Sequence, residues 1–161
     1  MHSQTDPLLE CLLVLGSYYG QATTREALIA GLPLSNRILD PSLFYRSARR
    51  LGLSSRIFKK SLGSINKSLL PAVLLLEDDQ ACLLMEVTAD RNAKVIFPEL
   101  GDALAEISLD ELESKYIGQV IFVRPGFRFD QRSPELKQHK VQHHWFWSSL
   151  KENTNLYRDV L

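Results

Sequence analysis

Two cysteines and four histidines are the side chains through which this 161-residue chain could do nucleophilic chemistry. Thiol catalysis needs a thiolate at a helix start, where the positive end of the helix dipole lowers its pKa. It also needs an imidazole to take the proton and a group to orient that imidazole. Cys11 falls more than one turn inside an apolar helical stretch, and Cys82 falls inside an apolar strand-like run, so both read as buried free thiols. His2, His139, His143 and His144 lie near the chain ends, outside any core strand that could hold a base rigidly. His143-His144 as a metal site lacks two further ligands at a usual spacing. No glycine-rich phosphate loop of the Walker type occurs. These residues point away from catalysis.

The elements that would position such chemistry begin with Asp6-Pro7-Leu8-Leu9-Glu10-Cys11-Leu12, running on to Ser17-Tyr18-Tyr19-Gly20. Asp6 is a good N-cap, because its carboxylate can accept from orphan backbone N–H groups, and proline is favoured at the next position. Leu8, Leu9, Leu12, Leu13, Val14 and Leu15 leave almost no polar side, as expected of a helix buried all round. Gly20 is the stop. A cysteine at position 7 would meet the helix dipole. Proline keeps the helix start and brings no nucleophile.

Further on, Thr23-Thr24 caps a short helix over Arg25–Ala30, stopped by Gly31-Leu32-Pro33. Asp40-Pro41 repeats the cap-then-proline signature, with Leu43, Phe44, Ala48 and Leu51 at helical spacing and Gly52 as the end. The period then shifts. Leu53–Lys59 alternates, with Leu53, Ser55 and Ile57 on one side. Pro71–Leu76 and Cys82–Val87 are apolar runs around the acidic turn Glu77-Asp78-Asp79, which predicts a buried antiparallel hairpin. Lys94-Val95-Ile96-Phe97 is a further strand ended by Pro98. Ser108-Leu109-Asp110-Glu111 is a capping box, and Gln119–Val123 is a last core strand before Arg124-Pro125-Gly126. Helices followed by a mainly antiparallel sheet make an α+β domain.

Apolar content of 45% and charged content of 24% suit a globular domain large enough for a real core. Lys+Arg and Asp+Glu balance at 19 each, which argues against nucleic acid as a partner. Arg49-Arg50 and Arg56…Lys59-Lys60 read as solvated faces rather than phosphate sites. With no signal peptide and two free thiols, the expected compartment is cytoplasmic. Residues 127–161 differ in kind. They carry His143-His144-Trp145-Phe146-Trp147 and then the weakly amphipathic Ser148–Leu161, either a membrane-interface segment or an anchor folded back on the domain.

Taken together, the chain resembles the bacteriocin-processing cysteine peptidase domain that leads many bacterial ABC exporters. That family carries its nucleophile in a segment Asp-Cys-Gly-x-x-Cys-Leu-x-x-x-x-x-Tyr-Tyr-Gly. Asp6, Cys11, Leu12, Tyr18, Tyr19 and Gly20 fall in register with it, while Pro7 takes the nucleophile position and Leu8 that of the glycine. Leu70-Pro71-Ala72-Val73-Leu74 and Leu83-Leu84-Met85-Glu86-Val87 match the second motif, with its His position on or next to Ala81. The strand Val95-Ile96-Phe97 ends in Pro98 in place of the orienting Asp. An oxyanion-hole Gln, due near Met1, is not evident, and Gln4 fits it poorly. Glu106–Glu111 and Tyr116–Val120 look like the closing helix and strand, so the resemblance covers roughly residues 3–124.

The resemblance implies a papain-like cysteine peptidase fold over residues 1–126, with catalytic positions degenerate at Pro7, Ala81 and Pro98. It implies that residues 127–161 link to an interfacial elbow before a transmembrane domain. The subgroup it points to is the inactive N-terminal domain of type I secretion exporters of RTX toxins and adhesins. Such a domain recruits or tethers unfolded substrate at the cytoplasmic face of the inner membrane. Its partners would be that substrate, the exporter's own membrane and nucleotide-binding domains, and a membrane fusion protein. ATP and magnesium would belong to the nucleotide-binding domain, with no cofactor here. Tyr18 and Tyr19 are the candidate substrate contacts, against the alternative that both rings are core. Two rival readings are a structural or regulatory domain for exporter assembly, and a surviving peptidase that uses Cys11 to cut a leader peptide.

Overall fold

The structure is a computed structural model and describes residues 6–101 and 103–126. His2, Gln4, His139, His143, His144 and the whole 127–161 segment, with its tryptophans and its domain boundary, lie outside the described residues.

Each helix begins where a side chain can accept from its first N–H groups. Helix α1 (Pro7–Tyr18) is capped by Asp6, whose Oδ1 accepts from Leu9 N at 3.3 Å. Helix α2 (Arg25–Ile29) is capped by Thr24, which accepts from Ala27 N. Helix α3 (Pro41–Arg50) is capped by Asp40, which accepts from Ser42 N at 2.6 Å. Gly20, Gly31 and Gly52, expected as the stops, have φ of +76°, +72° and +70°, a region open to glycine at little steric cost. Helix α4 (Leu109–Lys115) starts at Ser108, which accepts from Glu111 N at 3.2 Å as the capping-box pattern predicts.

Six strands form one antiparallel sheet: β1 (Leu53–Lys59), β2 (Ala72–Leu76), β3 (Ala81–Val87), β4 (Asn92–Ile96), β5 (Leu104–Ser108) and β6 (Tyr116–Pro125). Their spatial order is β1-β6-β2-β3-β4-β5. The expected hairpin is β2–β3, in register from Ala72↔Leu84 to Leu75↔Ala81, and Asp78 and Asp79 take positive φ in its turn. Strand β5 had no counterpart in the sequence reading. The last strand, β6, runs longer than Gln119–Val123 and inserts between β1 and β2.

Both faces of the sheet are covered, which explains why β2 is buried at all five positions. On one face α1 lies over Val73, Leu75, Leu83 and Ile121, with Leu12, Leu15 and Phe44 fully enclosed. On the other face Leu62, Ile65 and Leu112 cover Leu74, Cys82, Leu84 and Val120. Each fully buried leucine contributes about 1.5–3 kcal/mol, so this double layer dominates the stability. The two edge strands, β1 and β5, depart from the pattern, each with only its first residue buried, and β1 does so most. Beyond Leu53, β1 is largely exposed.

Candidate functional site

The start of α1 is where the sequence places the site. Asp6 is buried, and its two oxygens do different jobs. Oδ1 caps α1 through Leu9 N, and Oδ2 accepts from Leu39 N at 2.6 Å. That second bond ties the helix start to the segment entering α3, and sequence reasoning missed it because the partners lie 33 positions apart. Burial raises the Asp6 pKa, partly offset by the backbone N–H groups of Leu39, Leu9 and Leu8 and by Arg25. Glu10, one turn on, pairs with Arg25 of α2. Pro7 and Leu8 are themselves buried.

Helix α1 packs against β3, whose first residue is Ala81, and against the turn Pro98–Leu100. The fold therefore brings together the three elements that carry Pro7, Ala81 and Pro98. Ala81 is buried in the same core cluster as α1, and Pro98 is half-buried. None of these three side chains can donate, accept or exchange a proton.

Both thiols are sealed. Cys11 is fully buried, and burial pushes its pKa well up, with Cys82, Glu10 and Asp6 adding repulsion. Burial likewise pushes Cys82 up to about 12. Low dielectric disfavours a thiolate, and the thiolate is the nucleophile. The sequence holds no histidine from position 3 to 138, so among the described residues no imidazole stands beside either sulfur. Among the same residues no group of three or more His, Cys, Asp or Glu could hold a metal ion. No Walker-type glycine-rich loop occurs in the sequence.

The two tyrosines at the end of α1 divide. Tyr18 is core, 6% exposed, and its ring meets that of Tyr19 edge to face at 4.9 Å. Tyr19 is half-buried and donates its hydroxyl to Val123 O of β6 at 3.3 Å. Burial pushes Tyr19 up to about 12, against a lowering by Arg124. With its proton donated to the sheet, the Tyr19 hydroxyl can only accept, so the ring and that oxygen are what Tyr19 offers another molecule.

Comparison with known proteins decides what this arrangement belongs to. Residues 1–128 match the Peptidase C39 family. The chain belongs to the C39 family. Among solved structures, the C39 domain is similar to the N-terminal peptidase C39 like domain of the toxin secretion ATP-binding protein from Vibrio parahaemolyticus. The two are 36% identical with a TM-score of 0.73, over 76% of this chain and 99% of that one. The peptidase domain of Streptococcus ComA, a bifunctional ABC transporter involved in quorum sensing, shares the fold at 14% identity and a TM-score of 0.64. That match covers 78% of this chain and 95% of that one. Among curated proteins, the leukotoxin translocation ATP-binding protein LktB of Mannheimia haemolytica is 27% identical over 122 residues, 76% of this chain. The same protein of Bibersteinia trehalosi matches to the same extent. The C39 domain spans 17% of the length of these curated relatives.

Arg50 is exposed, as the reading of Arg49-Arg50 as a solvated face expects, and it has a further role. Arg50 donates to the carbonyls of Ala27 and Ala30, satisfying the C-terminal end of α2. Only the side chain's reach across two helices could have revealed that role.

Proposed function

We propose that this C39 domain is part of a type I secretion ABC exporter and holds an unfolded secretion substrate, of the RTX toxin or adhesin kind, without cutting it. The observation that carries the reading is the start of α1. Proline occupies the first helical position, and both thiols of the chain lie in the core with raised pKa values. A peptidase of this kind needs an accessible thiolate at a helix start. In this reading Pro7, Ala81 and Pro98 occupy the three former catalytic positions. The domain works at the cytoplasmic face of the inner membrane, beside the exporter's membrane and nucleotide-binding domains and a membrane fusion protein. ATP and magnesium serve the nucleotide-binding domain. The similarity to toxin secretion and leukotoxin translocation proteins supports the exporter context. Of the two tyrosines, Tyr19 is the better substrate contact, since Tyr18 is enclosed.

The test has two arms. A synthetic double-glycine leader peptide incubated with the protein stays intact, by mass spectrometry, for the wild type and for Cys11→Ser alike. Cleavage by the wild type that is lost in Cys11→Ser overturns the reading. In the second arm, an RTX repeat fragment kept unfolded by removing calcium shifts a localised set of amide resonances. The absence of any shift at millimolar fragment overturns the holding role.

A further inference from the structure

Five large apolar side chains are exposed among the described residues, and three of them lie along the β1–β6 edge of the sheet, with Phe58 on one face and Ile57 on the other. Ile57 is 42% exposed, Phe58 41% and Ile117 50%. Around them are cations. The face opposite α1 carries a hollow of ≈ 300 Å³ whose lining includes Arg56, Phe58, Lys60, Leu69, Phe122 and Arg124. The rings of Phe58 and Phe122 lie 5.6 Å apart, and Lys60 Nζ sits 6.0 Å over the Phe122 ring. No carboxylate lines this hollow, and none of its three cations forms an ion pair among the described residues. The adjoining hollow at Lys59, Ile117 and Gly118 contains one acid, Glu113.

The backbone beside the hollow is also open. Strand β1 pairs with β6 in unbroken register from Leu53↔Pro125 to Lys59↔Gln119. Lys60 N donates to Gly118 O at one end of it, and Gly126 N donates to Gly52 O at the other. Because an antiparallel ladder alternates, the even-numbered residues turn their N–H and C=O towards β6. Ser55, Ile57 and Lys59 turn theirs outward, and among the described residues no bond takes them. An edge of this kind is a template for an added strand.

We infer that the outer edge of β1 docks an extended polypeptide segment whose carboxylates meet Arg56, Lys60 and Arg124 on one face of the sheet while its alternate, apolar side chains lie along Ile57 on the other. The uncompensated positive charge selects an acidic segment, and the unpaired ladder selects an extended one. This rests on the holding role proposed above, and it names the surface and the chemistry of what is held.

The probe is a fluorescein-labelled ten-residue peptide alternating Asp with Phe or Val, with a Lys-for-Asp peptide as control, titrated against the full chain. The Asp peptide binds and the Lys peptide binds at least tenfold more weakly. The double variant Arg56→Glu/Arg124→Glu loses at least tenfold in affinity for the Asp peptide. Ile57→Pro removes an outward N–H without touching the β6 ladder, and it also loses at least tenfold while its melting temperature stays within a few degrees. Hydrogen exchange supplies a readout free of any variant: the amides of Ser55, Ile57 and Lys59 slow at least tenfold when the Asp peptide is bound. Equal binding of both peptides, or unchanged exchange at those three amides, overturns the inference. So does sedimentation with vesicles of 30% anionic phospholipid in the absence of peptide binding, which would make the surface a membrane contact. If the unfolded RTX fragment binds and Arg56→Glu/Arg124→Glu leaves that binding intact, this surface is wrong and the holding role stands. If no unfolded chain binds at all, both fall.

Discussion

The start of α1 and the outer edge of β1 are opposites in one domain. At the first, every group is enclosed or already bonded: Pro7 and Leu8 are buried, Cys11 is fully buried, and both Asp6 oxygens are bonded to backbone. At the second, apolar rings, cations and outward backbone groups face solvent. Side chains that pack well hold a fold together, and side chains that could pack but do not are where another molecule gains most by binding. The contrast separates what this domain uses for stability from what it has free for contact.

The strongest way to break that comparison is to ask whether the thiols are truly sealed. If they are, labelling Cys11 or Cys82 requires the core to open. For a domain of ordinary stability that slows native-state alkylation by about a thousandfold or more relative to the unfolded chain. Timed alkylation with and without denaturant, read by mass, measures the ratio. A fast-labelling Cys11 would return the start of α1 to the class of reactive sites.

Next in size is Asp6→Ala. It removes an N-cap, worth about 1 kcal/mol, and leaves the buried Leu39 N–H without its acceptor, worth about 1–3 kcal/mol more. Urea unfolding should therefore show a loss of about 2–4 kcal/mol with an unchanged slope. A loss under about 1 kcal/mol would mean that the Leu39 tie contributes nothing.

Tyr19 comes third, and it is the pH-sensitive joint between α1 and β6. Its hydroxyl bond to Val123 O makes Tyr19→Phe cost about 0.5–1 kcal/mol at neutral pH. Because its folded pKa is raised to about 12 from an ordinary 10, the folded state disfavours the phenolate. The associated stability is complete below pH 10 and is lost as pH rises from 10 towards 12. Burial raises Tyr116 as well, so absorbance titration of phenolate should lose one of its late-ionising tyrosines, the latest, in Tyr19→Phe, and the alkaline fall in stability should shrink in the same variant.

How far the sequence could carry this picture follows from which interactions are local. Asp6, Thr24, Asp40 and Ser108 declare their helices because a cap acts within three residues of itself. The β2–β3 hairpin was legible for the same reason, its turn lying between two apolar runs. Strand order was not, since β6 reaches its place beside β1 and β2 from the far end of the sheet-forming sequence. Nor was the Asp6–Leu39 bond, the Arg50 cap on α2, or the burial that separates Tyr18 from Tyr19. The alternation over Leu53–Lys59 puts Leu53, Ser55 and Ile57 on one side of a strand, and of these three only Leu53 is buried. Periodicity reveals which residues share a face and is silent about whether that face meets a neighbour.

The smallest expected effect is the one that most sharpens the comparison. Ile57→Thr keeps a β-branched side chain on an outer strand, and Arg56→Glu changes a charge that pairs with nothing among the described residues. Neither touches a buried contact, so each should change unfolding free energy by no more than about 0.5 kcal/mol. Near-zero cost is what an interaction surface predicts, because its side chains are kept for something other than the fold. Denaturant titration of the two variants decides the point. A loss above about 1.5 kcal/mol in Ile57→Thr would mean that the residue is part of the core, and the edge of β1 would then belong with the start of α1 among the enclosed parts of the molecule.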